Sequence, residues 1–144
     1  MKIYLGTDHA GFELKNSIKE HLLREGYDVK DFGAHGFDPA DDYPDFVNKV
    51  AEAVSLDSES KGIVLGYSGQ GEAIASNRYK NVRAVVYYGG DGDIIKLSRE
   101  HNNANILSLG AHFLNIDEAK AAVDLWLETE FPGDERHVRR LNKF

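Results

Sequence analysis

Gly62-Ile63-Val64-Leu65-Gly66-Tyr67-Ser68-Gly69-Gln70-Gly71-Glu72-Ala73-Ile74-Ala75-Ser76-Asn77 joins an apolar run to a glycine-rich bend and then to residues able to open a helix. A bend of this kind between a buried strand and a helix N-terminus presents backbone N–H groups to a negatively charged oxygen. Glu72 sits one residue past that cradle, where it would repel a bound phosphate. The placement makes sense if the carboxylate touches a carbon acid whose developing oxyanion lies in the loop. The plainer alternative is a tight turn with an acidic residue favouring the helix dipole. The loop lacks the Gly-Lys-Ser/Thr ending of a Walker loop and the third glycine of a dinucleotide fingerprint. Ser68 is followed by Gly69-Gln70, so it is no nucleophile elbow either.

Outward from this stretch, β-rich runs alternate with amphipathic ones. Lys2–Gly6 reads as a first strand, and Phe12–Arg24 as a helix closed by Gly26. Tyr27–Asp31 is a partly polar second strand, and a Gly/Asp/Pro-rich loop (33–44) precedes a helix over about 45–54. The third strand is Ile63–Leu65, and the fourth is Arg83–Tyr87. A Gly89-Gly90-Asp91-Gly92 turn and a helix to about Glu100 follow. The fifth strand is Asn105–Leu109, followed by a helix over Ile116–Thr129 and a short basic helix. This alternation predicts an α/β fold: a five-stranded parallel sheet covered on both faces, with ligands at the carboxyl ends of the strands. With no internal repeat or linker, residues 1–144 are expected to form one domain.

The 144 residues are 42% hydrophobic, enough for a core, and contain no cysteine. Disulfides, thiolate metal sites and a cysteine nucleophile are therefore excluded, which suits a reducing cytoplasm. The chain goes from Met1-Lys2 straight into a strand and has no bilayer-length apolar run, so neither a signal peptide nor a membrane anchor is expected. A formal net charge of −7 argues against a nucleic-acid partner. The tail from Arg136 to Lys143 is locally basic. It reads either as a solvated helix end suited to the dipole or as an anion site built from arginine forks.

Two further clusters have double readings. Asp8-His9 follows the first strand. Asp8 would cap the next helix, or hold a sugar hydroxyl while His9 donates to an anion. His101-Asn102-Asn103 closes the helix before the fifth strand, as a dipole-stabilised cation and C-cap or as a site. Asp8 and the 68–72 loop share the carboxyl edge of the sheet, whereas His101 starts from the opposite edge. His101 therefore completes a neighbouring subunit's site or serves none. No His/Asp/Glu set shows metal-ligand spacing, and no metal is expected.

Taken together, Gly6-Thr7-Asp8-His9-Ala10-Gly11-Phe12-Glu13-Leu14-Lys15, Asp42-Tyr43-Pro44-Asp45, Ser68-Gly69-Gln70-Gly71, Ser98-Arg99-Glu100-His101-Asn102-Asn103-Ala104 and Arg136-His137-Val138-Arg139-Arg140 resemble the type B ribose-5-phosphate isomerase family, which includes galactose-6-phosphate isomerase subunits. The resemblance runs end to end. It implies a Rossmann-like α/β/α sandwich and a cofactor-free aldose–ketose isomerisation through an enediolate. It also implies a homodimer, or a tetramer, with active sites shared between subunits. The implied substrate is ribose 5-phosphate, with a hexose 6-phosphate, or a sugar-phosphate-binding subunit without turnover, as alternatives.

The resemblance also assigns roles. His101 and Asp8 would open the furanose ring, and Ser68 with the loop amides would hold the enediolate oxygen. Tyr67, Gly69, Gln70, Gly71 and Asn102 would line the substrate. His9, Arg136 and Arg140 would bind phosphate, the arginines coming from the partner. Many members use a cysteine base at the position of Gly66. A second branch uses a glutamate that aligns with Glu72, the only route open to this cysteine-free chain. His112 stands where the family has a phosphate-binding arginine, and the 89–92 turn is longer and more acidic than usual. Both departures bear on which sugar phosphate is preferred.

Overall fold

The computed structural model describes residues 1–144 and contains one sheet of five parallel strands in the order β2-β1-β3-β5-β4. The strands are β1 (Lys2–Thr7), β2 (Asp28–Asp31), β3 (Lys61–Gly66), β4 (Ala84–Tyr87) and β5 (Ile106–Gly110). The helices are α1 (Phe12–Arg24), α2 (Pro44–Leu56), α3 (Gln70–Ser76), α4 (Asp93–Glu100), α5 (Ile116–Glu128) and α6 (Glu135–Leu141). The α/β layering and the five parallel strands are as the alternation predicted. Several ends differ by a residue or two, and a 3₁₀ turn at His9–Gly11 stands between β1 and α1. Pro44 opens α2 one residue earlier than expected, because the first helical position needs no amide hydrogen. No helix is long and apolar enough to cross a membrane.

Strand period decides which face each residue covers. Ile63 and Leu65 join Leu107 and Leu109 on the face packed by α1 and α5, where Ile18, Leu22, Val123 and Trp126 are fully buried. Val64 and Ile106 face the other way, against Val47, Val50 and Val54 of α2. Each such side chain contributes about 1.5–3 kcal/mol on burial. The valine face of α2 lies close because β1 and β3 carry glycines there: a Cβ at Gly6 would come within 2.8 Å of Val50 Cγ2, and one at Gly62 within 2.8 Å of Val50 Cγ1.

The chain runs from β1 outward to β2, then returns to add β3 on the other side of β1. This reversal leaves a crevice beyond the carboxyl ends of β1 and β3, the usual ligand position in an open parallel sheet. Thr7 Oγ1 donates to the Leu65 carbonyl at 2.9 Å and ties those two ends together. Beside them, fully buried Lys15 of α1 donates to both Asp31 oxygens (2.9 and 2.8 Å) and to the Ala34 carbonyl (2.7 Å). Burial alone would raise the Asp31 carboxyl, but the hydrogen bonds from Lys15, the Gly33 N–H and Lys19 together outweigh it and hold the group below its ordinary range.

Candidate active site

The glycine loop after β3 is fixed from several sides. Gly69 adopts φ 78°, a left-handed conformation that turns the chain sharply into α3. Ser108 Oγ on β5 donates to the Gly69 carbonyl at 2.6 Å. Gly110 lets the loop rest on the end of β5, where a Cβ would come within 2.7 Å of the Ser68 carbonyl. Ser68 Oγ accepts the Gln70 N–H at 3.3 Å, so Ser68 caps the turn. The N–H groups of Gly69 and Gly71 have no partner within the chain and remain as donors.

Glu72 is 4% exposed in the first turn of α3. Its carboxylate occupies the space that a side chain at residue 66 would need: a Cβ on Gly66 would overlap Oε1 and Cδ and lie 2.7 Å from Oε2. Burial, reinforced by the charge of Asp8, pushes the Glu72 carboxyl above its ordinary range. The arrangement is a desolvated carboxylate beside free amide donors, suited to taking a proton from carbon while a neighbouring oxygen gains charge.

Asp8 is 7% exposed at the end of β1. Its Oδ1 accepts the Ala10 N–H at 3.0 Å, so the capping role and the site position coexist. Burial raises its carboxyl too, with Asp41 adding to the effect. His9 follows, and its Nδ1 lies 2.7 Å from Asp41 Oδ1, which also accepts the His9 backbone N–H at 2.9 Å. Ligand-type atoms of Asp8, His9 and Asp41 lie within 4.8 Å of one another, a grouping the sequence spacing did not reveal. Within this cluster His9 Nδ1 and Asp41 Oδ1 are engaged with each other.

Tyr67 and His112 lie at the same edge, with rings stacked at 4.2 Å. Tyr67 is exposed, as is Phe113 against both rings. Tyr43 was not singled out as a site residue, yet its hydroxyl covers Gly71, where a Cβ would come within 2.6 Å of it. Only the Asp42-Tyr43-Pro44-Asp45 string pointed toward it.

The other expected residues gather elsewhere. His101 caps the C-terminus of α4 at the amino edge of the sheet, and Asn102 follows. Asn103, at φ 44°, closes the helix with its N–H on the Arg99 carbonyl at 2.9 Å, the C-cap that Asn102-Asn103 suggested. Arg136 and Arg140 project from α6 as exposed cations. His137, unremarked in the sequence beyond its motif, stacks on His101 at 4.2 Å and joins α6 to this group. It is 4% exposed and its Nε2 has no partner. Burial lowers its pKa, and the neighbouring charges of His101, Arg136 and Arg140 lower it further. Asn102, Val138 and Asn142 line one groove of about 830 Å³ with Phe131 and Phe144. A five-residue strand spans about 17 Å, so Glu72 and His101 lie at opposite ends of the sheet and face different surfaces.

The family model described as Ribose/Galactose Isomerase matches residues 3–144. Ribose-5-phosphate isomerase B of Mycolicibacterium paratuberculosis is 42% identical over 142 residues, covering 99% of this chain and 88% of the relative. The Escherichia coli K12 protein of the same name is 37% identical over 140 residues, covering 97% and 91%. Among solved structures, ribose-5-phosphate isomerase B of Clostridium thermocellum superposes with a TM-score of 0.93 at 45% identity, covering 99% of this chain and 94% of that one. The Mycoplasma genitalium enzyme with bound ribulose-5-phosphate gives 0.93 at 38% identity, covering 99% and 92%. With near-complete coverage in sequence and in fold, this chain belongs to the ribose/galactose isomerase family.

Proposed function

We propose that the chain interconverts ribose 5-phosphate and ribulose 5-phosphate through an enediolate, with Glu72 as the base. The observation that carries this reading is the buried Glu72 carboxylate, seated against Gly66 beside the unpartnered amides of Gly69 and Gly71. Glu72 takes the proton from C2 of the open-chain aldose as O1 gains negative charge. Ser68 and the loop amides hold that oxygen. The proton on O2 passes to O1, and protonated Glu72 returns its proton to C1 to give the ketose. A carboxyl raised above its ordinary range is a stronger base toward carbon than an exposed glutamate. The step needs no cofactor or metal. The relatives' names and the ribulose-5-phosphate complex favour a pentose substrate over a hexose 6-phosphate.

The site is completed by a second copy. Asp8, His9, Tyr67, the 68–72 loop and His112 come from one subunit. His101 for ring opening, Asn102 for substrate contact, and Arg136 and Arg140 for phosphate come from the other. The split of these residues between two edges of one sheet supports this assembly, a homodimer at least.

The test mixes two inactive variants, Glu72→Gln and His101→Asn, by denaturation and refolding. Random pairing puts half of the chains into mixed dimers, each with one intact site, so about a quarter of wild-type turnover returns. No recovery would refute the shared site, and turnover by Glu72→Gln alone would refute the base. The substrate panel in a coupled assay includes ribose, allose and galactose phosphates.

A further inference from the structure

His9 presents a problem of tautomers. Its Nδ1 lies 2.7 Å from a carboxylate oxygen, so Nδ1 carries a proton. In the neutral ring Nε2 would then be a bare lone pair, which repels a phosphate oxygen. The imidazole binds an anion through Nε2 only when it carries both protons. Whatever holds the ring in that form decides whether it can bind phosphate at all.

We propose that Asp41 is the positioning residue for the phosphate-binding imidazole: it fixes the Nδ1–H of His9 and keeps the ring doubly protonated, so that Nε2 presents a proton to the substrate phosphate. The inference rests on the assignment of His9 to the phosphate. Asp41 lies outside the Asp42–Asp45 motif, 32 residues from its partner, on the loop before α2. One oxygen, Oδ1, accepts both the His9 backbone N–H and Nδ1–H, so it orients main chain and side chain together. The Asp41 side chain is only 11% exposed, against 35% for His9. Its second oxygen, Oδ2, is buried without a partner. That carboxylate has no compensating cation within the protein other than His9, so neutralising the ring would leave it as an uncompensated buried charge.

The groups facing the ring are all anionic or apolar. Asp8 adjoins it in the chain, Asp41 and Asp38 come from the loop before α2, and Phe37 lies edge-on at 6.2 Å. The contact with Asp41 raises the imidazole pKa, and the charges of Asp8 and Asp38 act in the same direction, against a desolvation effect. Asp41 therefore extends phosphate binding to pH values at which an ordinary histidine has lost its proton.

Asp41→Asn keeps an acceptor for both N–H groups and removes the charge. The measurements are kcat and KM for ribose 5-phosphate between pH 6.5 and 9, inhibition by inorganic phosphate over the same range, and the NMR titration of the His9 ring. At pH 8, KM should rise about ten-fold, the loss of a charge-assisted hydrogen bond, with kcat little changed. The difference should close toward pH 6.5. Phosphate inhibition should weaken in parallel, and the His9 titration should move to lower pH. Asp41→Ala, which removes the acceptor together with the charge, should raise KM at pH 8 at least as much. If His9→Ala weakens binding while Asp41→Asn matches wild type in both KM profile and titration, the role of Asp41 is overturned. If His9→Ala leaves KM unchanged, the phosphate assignment falls and this inference with it.

Discussion

Gly66→Ala adds one methyl group at the end of β3, in a strand conformation that alanine tolerates. In this chain the added carbon lands on the Glu72 carboxylate: it overlaps Oε1 and Cδ and lies 2.7 Å from Oε2. Ordinary contact needs about 3.5 Å, so even the farther oxygen must retreat by roughly 0.8 Å and the nearer one by more. The clash falls on the tip of a flexible side chain, so it is relieved by rotation about the Glu72 side-chain bonds rather than by moving the strand. Stability should therefore change by about 1 kcal/mol or less, a shift in Tm of about 2–4 °C. The catalytic consequence is larger. A base displaced by about an ångström forfeits roughly 10²-fold in rate. The coupled isomerase assay should show kcat reduced at least about 100-fold, with phosphate inhibition unchanged. In a Glu72→Ala background the same methyl has nothing to displace, so it should cost no further activity. A folded Gly66→Ala enzyme turning over within about three-fold of wild type would refute both the contact and the assignment of the base.

Other perturbations follow from the same geometry. Glu72→Gln should abolish isomerisation, leave phosphosugar binding nearly intact and raise Tm at pH 7. A carboxyl held above its ordinary range is fully stable only when protonated. The wild type therefore loses stability as pH rises through that window, and calorimetry should show the gap between the two proteins opening with pH. The same raised value places the acid limb of wild-type kcat/KM above the usual glutamate range, which a pH–rate profile measures. Lys61 is half-buried, 5.9 Å from the Trp126 ring centre, and burial together with the Arg99 charge lowers its pKa to about 8. Between that value and its ordinary one the unfolded chain binds the extra proton, so stability from this group rises with pH. Lys61→Met should add about 1 kcal/mol at pH 7, after allowance for solvent screening, and the gain should shrink above pH 9. Arg136→Ala should raise KM for ribose 5-phosphate about ten-fold or more, with a smaller effect on kcat, as the loss of one fork to phosphate requires.

The strands and helices were legible in the sequence because their signals are local. Ile63-Val64-Leu65 alternates between two cores, and the glycines at 26 and 69 punctuate the elements they border. The opposite-edge position of His101 also followed from order along the chain. What stayed hidden depends on partners distant in sequence. Lys15 reads as a polar residue on an amphipathic helix, yet it is fully buried because Asp31 and the Ala34 carbonyl neutralise and solvate it. Asp41 is one of several acids in a loop, and only folding sets it against His9. The adjacency of β5 to β3, with β4 outside, is equally invisible, although it is what brings Ser108 beneath the Gly69 carbonyl.

That last contact has a consequence for time rather than for position. The loop proposed to hold the enediolate is hydrogen-bonded to β5 at 2.6 Å and pressed onto Gly110, where not even a methyl group would fit. Such a loop has no room to swing, so it reaches the transition state without a rearrangement of its own. An enediolate mimic should then associate in one phase linear in concentration, with no slow tightening step. Any conformational gate on turnover belongs to another part of the molecule, and temperature-jump relaxation of a probe at Tyr67 should remain silent on the turnover timescale.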